Sequence, residues 1–119
     1  MNHYADAVLD RLLESTAFAP SIWPLEVVNV LLVAERKKRL KEADSVRFIT
    51  LLSQLPIVVE YDRTERLVKD LLPLARTNSL SSYDACYLDL SMRRGISIAT
   101  LDTQLKKAAK KIDVPIFLD

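Results

Sequence analysis

Glu26, Asp84 and Asp102 are acids placed where a helix would begin, each just after an apolar run or strand-like stretch. Glu26 lies in Ser21-Ile22-Trp23-Pro24-Leu25-Glu26-Val27-Val28, Asp84 in Leu80-Ser81-Ser82-Tyr83-Asp84-Ala85, and Asp102 in Ile98-Ala99-Thr100-Leu101-Asp102. In an open α/β sheet the carboxyl ends of the strands and the helix starts that follow them converge on one crevice. Three carboxylates gathered there repel one another unless a divalent cation compensates them. The pattern therefore points to a hard-metal site and to metal-assisted phosphodiester chemistry.

Each acid also has a plainer reading. Asp102 suits a simple N-cap, Ser81 with Asp84 makes a start resembling a capping box, and Glu26 favours the positive end of its helix. Thr100 and Asn29, close to Asp102 and Glu26, serve either to hydrogen-bond a ligand acid or for ordinary capping and packing. Asp89 follows Asp84 by five residues, which turns it away from the same helix face, so it reads as solvated or structural. Cys86 has no partner base and reads as a small buried hydrophobe. Trp23 reads as a core anchor or part of a partner surface, and Tyr83 and Tyr87, one turn apart, pack or line the crevice.

The elements that must position these residues follow from periodicity. Helices are predicted over residues 3–15, from Pro24 to about 38, over 42–54, 63–76, 82–94 and 102–111. Pro24 suits a first helical turn, and Gly95 suits a left-handed C-cap. Pro73 is expected to kink or split its helix. Residues 18–20 form a short extended piece, and strands are predicted over 57–61, 96–100 and 114–118, the last near a sheet edge because of Pro115. Strands alternating with helices imply an α/β fold, a mainly parallel sheet with helices on both faces.

Composition narrows the function classes. The 119 residues make one domain's worth of chain, and 17 Lys and Arg against 16 Asp and Glu leave a net charge of +1. Nucleic-acid binding is thus neither favoured nor excluded by charge alone. The runs 36–41 and 106–111 are basic and read as solvated faces that would also attract a phosphate backbone. One Gly excludes the glycine-rich phosphate loops, and one His with one Cys supplies no common zinc set. A lone cysteine, no apolar span and no secretory pattern at Met1–Asp6 lead to the expectation of a cytoplasmic protein with no membrane segment.

The three acidic blocks, in this order and with these intervening lengths, resemble a PIN domain over nearly the whole chain. The nearest type is the VapC-like toxin of bacterial toxin–antitoxin pairs. The resemblance implies an Mg²⁺- or Mn²⁺-dependent ribonuclease that pairs as a homodimer and is inhibited by a small antitoxin. It assigns Glu26, Asp84 and Asp102 to the second, third and fourth acids of the family's site, and gives Thr100 and Asn29 supporting positions beside them. The family's first strand, ending in the first acid, has no counterpart; Met1-Asn2-His3-Tyr4 resembles the loop and helix that come later. The expectation is therefore a PIN-like fold with its first strand missing, through a start assigned too far downstream or a truncated version, and a weaker metal site. The gap would be closed by rearranged strand order or by a partner chain. The alternative function is a catalytically impaired PIN-like module that binds an antitoxin or dimerises.

Overall fold

The computed structural model describes residues 3–119, so the part of the N-terminal reading that falls on residues 1 and 2 lies outside it. The order is α1 (His3–Arg11), β1 (Ala17–Pro20), α2 (Trp23–Arg36), α3 (Glu42–Ser53), β2 (Ile57–Glu60), α4 (Thr64–Asn78), α5 (Ser82–Arg94) and α6 (Thr103–Lys111). This is an α/β fold with parallel strands and six helices among the described residues.

β1 pairs with β2 in parallel, Ala17 beside Ile57 through Pro20 beside Glu60. The Ala17 N–H donates to the Pro56 carbonyl at 2.9 Å, which turns the peptide groups of Ala17 and Ala19 toward β2. Those of Phe18 and Pro20 face the other way, so the N–H that Pro20 lacks is not needed in this ladder.

The predicted strands at 96–100 and 114–118 shrink to one parallel bridge, Ile98 with Ile116. Ile98 donates to the Pro115 carbonyl at 2.9 Å and accepts from Phe117 N–H at 2.8 Å. The sheet is thus smaller than expected: the β1–β2 pair and the Ile98–Ile116 bridge are separate pieces. Pro115 removes a donor from the last segment, and Asp113 and Leu118 on either side take positive φ, which breaks extended geometry.

α1 ends at Arg11 rather than 15, because Leu12 to Glu14 pass into tight turns. α4 runs through Pro73 without splitting. Pro73 is exposed, so water can satisfy the carbonyl that loses its partner, and Ser79 in the left-handed region ends the helix instead. α5 ends as read, with Gly95 left-handed at φ 63°.

The core forms around Leu88 of α5, Leu105, Ala108 and Ala109 of α6, Ile98 and Val114. α5 packs on β1, α4 and α6, and is the element most surrounded by others. Leu88 is fully buried, worth roughly 1.5–3 kcal/mol in removed apolar surface. Leu88→Ala leaves a cavity that rigid neighbours fill poorly. It is expected to lower unfolding free energy by about 2–5 kcal/mol in urea titration; a loss under about 1 kcal/mol would mean this core is not the one that holds the fold.

Candidate acidic site on α2 and α5

The helix starts position the acids as the sequence spacing anticipates. Glu26 sits in the first turn of α2, opened by Pro24, and Asp84 in the first turn of α5, opened by Ser81. Ser81 Oγ accepts the Asp84 N–H at 3.1 Å, which caps α5 and fixes the backbone carrying Asp84. Asp102 is the N-cap of α6, its Oδ1 accepting from Leu105 N–H at 2.8 Å. Thr100 Oγ1 in turn accepts from Asp102 N–H at 3.0 Å. Thr100 therefore supports Asp102 by shaping its turn. Asn29 is exposed on α2, one turn beyond Glu26.

Tyr87 links Glu26 to the helix that carries Asp84. Its hydroxyl donates to Glu26 Oε1 across the α2–α5 junction. The phenol is held well above the usual tyrosine range by burial first, then by the bond to Glu26 and the charges of Glu26 and Asp84. Both carboxylates thus act on one half-buried hydroxyl. Asp102 is exposed, and among the described residues no contact ties it to that pair.

Among the described residues no group of three His, Cys, Asp or Glu side chains is placed to hold a metal ion. The oxygen donors are of the type Mg²⁺ takes, but in this conformation they do not form a cage for it. Glu26 has one oxygen engaged by Tyr87, and one oxygen of Asp102 is spent on the α6 cap.

A second set of charges lies next to the pair, and sequence reasoning missed its extent. Asp89 is buried, with 7% of its surface exposed. Arg66 of α4 reaches it with two nitrogens, at 2.9 Å and 3.4 Å, and Arg93 meets it at 2.9 Å. Arg93 continues to Glu60 at 2.6 Å, and Arg94 meets Glu60 at 2.5 Å while stacking 4.1 Å over the Phe18 ring. The hydrogen bond to Asp89 is the main reason the Arg66 guanidinium holds its proton more firmly than usual. Burial alone would raise the Glu60 carboxyl, but the bonds from Arg93 and Arg94 outweigh it and hold it below the ordinary range. Asp89 is therefore structural. The signals were present as four-residue spacings: Asp62 with Arg66, Arg66 with Asp70, and Asp89 with Arg93.

Cys86 is half-buried, and burial, then the charges of Asp89 and Glu26, raise its thiol pKa. That disfavours the thiolate and with it a nucleophilic role. Tyr83 is 57% exposed at the start of α5. Lys107 and Lys111 are exposed on α6, while Lys106 and Lys110 each approach Asp119 at 3.5 Å.

A family model described as PIN domain matches residues 2–111. No curated protein matches the chain. No helix among the described residues is long and apolar enough to cross a membrane.

Tyr87 provides a direct readout of the pair. A group whose folded pKa is raised contributes stability that is present below its unfolded value, about 10 for tyrosine, and lost as pH rises through the folded value. Glu26→Gln removes the negative acceptor but not the burial. Ultraviolet titration should show Tyr87 ionising at lower pH than in the parent, though still above an exposed tyrosine. An unchanged Tyr87 titration would remove Glu26 from the pair.

Proposed function

Because the chain belongs to the PIN-domain family, a family of nucleases that are typically metal-dependent, we propose that it is an endoribonuclease hydrolysing RNA phosphodiester bonds, the toxin of a toxin–antitoxin pair. The observation that carries this reading is the hydrogen bond from Tyr87, on the helix whose first turn bears Asp84, to Glu26 in the first turn of α2. Helix N-termini carry partial positive charge, which suits a site that must accept both carboxylates and phosphate.

In this proposal Glu26, Asp84 and Asp102 are the acids of the site, with Thr100 shaping the Asp102 turn and Asn29 beside Glu26. Mg²⁺ or Mn²⁺ would supply the activated water and neutralise phosphate charge, as such ions do in general. Tyr87 holds the Glu26 carboxylate in one orientation, and the buried ionic set around Asp89 keeps α5 from shifting. Exposed Lys107 and Lys111, and the basic run after α2, draw in the RNA backbone. The partners proposed with this activity are RNA, a small antitoxin and a second copy of the chain, in the cytoplasm.

A second reading is favoured by the lack, among the described residues, of a group of three acids placed to hold a metal ion. It takes the chain as a catalytically impaired PIN-like module that binds an antitoxin or dimerises.

Cleavage of a labelled single-stranded RNA by the purified protein with Mn²⁺ separates the two. The nuclease reading expects chelator-sensitive cleavage, reduced by roughly 100-fold or more in Asp84→Asn, the upper end of what outer-sphere changes at metal sites cost. Cleavage that persists undiminished in Asp84→Asn would overturn this site assignment. Absence of turnover in the parent, with tight partner binding, would favour the module.

A further inference from the structure

α6 carries four lysines and no acid. Leu105, Ala108 and Ala109 face the core, which leaves Lys106, Lys107, Lys110 and Lys111 together on the opposite arc of the helix. Thr103 and Gln104 complete the outer side, so the arc offers no apolar side chain. Lys107 and Lys111 have no ion-pair partner among the described residues.

Lys106 and Lys110, one turn apart, already hold an anion. Asp119 Oδ1 lies 3.5 Å from Lys106 Nζ, and Asp119 Oδ2 lies 3.5 Å from Lys110 Nζ. One carboxylate thus bridges two ammonium groups, with one oxygen toward each. The segment that delivers it is fixed. Phe117 N–H donates to the Ile98 carbonyl at 2.8 Å, and the Phe117 carbonyl accepts from the Tyr4 hydroxyl at 2.6 Å. Leu118 then takes φ 54°, a left-handed turn unfavourable for leucine, and Asp119 follows against α6. The contacts of Asp119 are long and open to water, and ion pairs of that kind are weak.

The lysine pair is therefore an anion seat with a weakly held internal occupant. A partner protein would need an apolar anchor, which this arc lacks; a repeated backbone charge needs none. Asp102 caps the start of the same helix, so the lysines lead away from one acid of the proposed site. We propose that this arc is a contact surface for the phosphate backbone of RNA, and that Asp119 occupies the Lys106–Lys110 seat until a phosphate displaces it. Asp119 thereby limits RNA affinity. The choice of RNA rests on the nuclease reading, whereas the anion seat does not.

The test is fluorescence anisotropy of a labelled uridine dodecanucleotide titrated with the full chain in EDTA, over a range of salt, so that binding is read without metal-dependent cleavage. Each variant is first checked for a parent-like circular dichroism spectrum. Asp119→Asn should tighten binding by about two- to fivefold at low salt, the range that an exposed ion pair spans. The gain should fade as salt screens it. Lys106→Gln together with Lys110→Gln should weaken binding and reduce the slope of log affinity against log salt by about 1.4, as expected for two phosphate contacts on a single strand. In that background Asp119→Asn should change nothing. Asp113 is an exposed acid near the end of α6 with no ion pair among the described residues, and Asp113→Asn is the control for general charge. No gain in Asp119→Asn, an equal gain in Asp113→Asn, a gain that survives loss of both lysines, or an unchanged salt slope would each overturn the proposal. Poly-L-glutamate binding as tightly as the RNA would overturn it in favour of an acidic polypeptide. The expected binding pattern in a protein that never cleaves RNA with Mn²⁺ would uphold the seat and remove the nuclease reading.

Discussion

The Asp89 carboxylate, buried in the middle of α5, is the constraint on which the rest of the arrangement depends. A lone charge there would be strongly disfavoured, and it is stable because Arg66 from α4 and Arg93 from its own helix both reach it. Through Arg93 the same carboxylate is linked to Glu60 at the end of β2, and Arg94 joins Glu60 to the ring of Phe18 on β1. One side chain thus ties α4, α5 and the parallel pair together. Satisfying it allows few relative positions of these elements, whereas apolar contacts alone tolerate sliding.

That constraint sets the geometry of the acidic pair. Asp84 and Tyr87 lie five and two residues ahead of Asp89 and move with α5. Glu26 arrives on α2, directly after β1, and Tyr87 closes the junction. Asp102 stands at the start of α6, whose Leu105 shares a core with Leu88 of α5, and its oxygen completes a helix cap. Glu26 and Asp84 are related through the Tyr87 hydroxyl. The third is held by local backbone chemistry rather than by the pair.

The helices and most of their ends were legible in sequence because each rests on a local signal: apolar periodicity, Pro24 at a first turn, Ser81 and Asp102 as caps, Gly95 as a left-handed stop. The α/β class and the parallel pair followed from β-branched Ile57–Val59 and the extended residues before Pro20. The extent of the sheet was not legible. Whether 96–100 and 114–118 form strands depends on a neighbour along their free edge, which no window of sequence contains. That Pro73 does not split its helix was not legible, because its cost depends on solvent access to one carbonyl. The partners of Tyr87 and Asp89 were not legible, because a residue read as crevice lining, or as a solvated or structural acid, gains its partner only when a distant Glu26 or Arg66 is brought to it.

The account's central claim is that Glu26 and Asp84 form one anionic locus, across two helices, on which the proposed chemistry would depend. Paramagnetic broadening of amide resonances during Mn²⁺ titration tests it most directly. The account predicts that the first signals lost are those around Glu26, Asp84 and Tyr87, before any effect at exposed acids elsewhere such as Asp10 or Asp70. Broadening that begins at those isolated acids, or spreads over all surface carboxylates together, would contradict it.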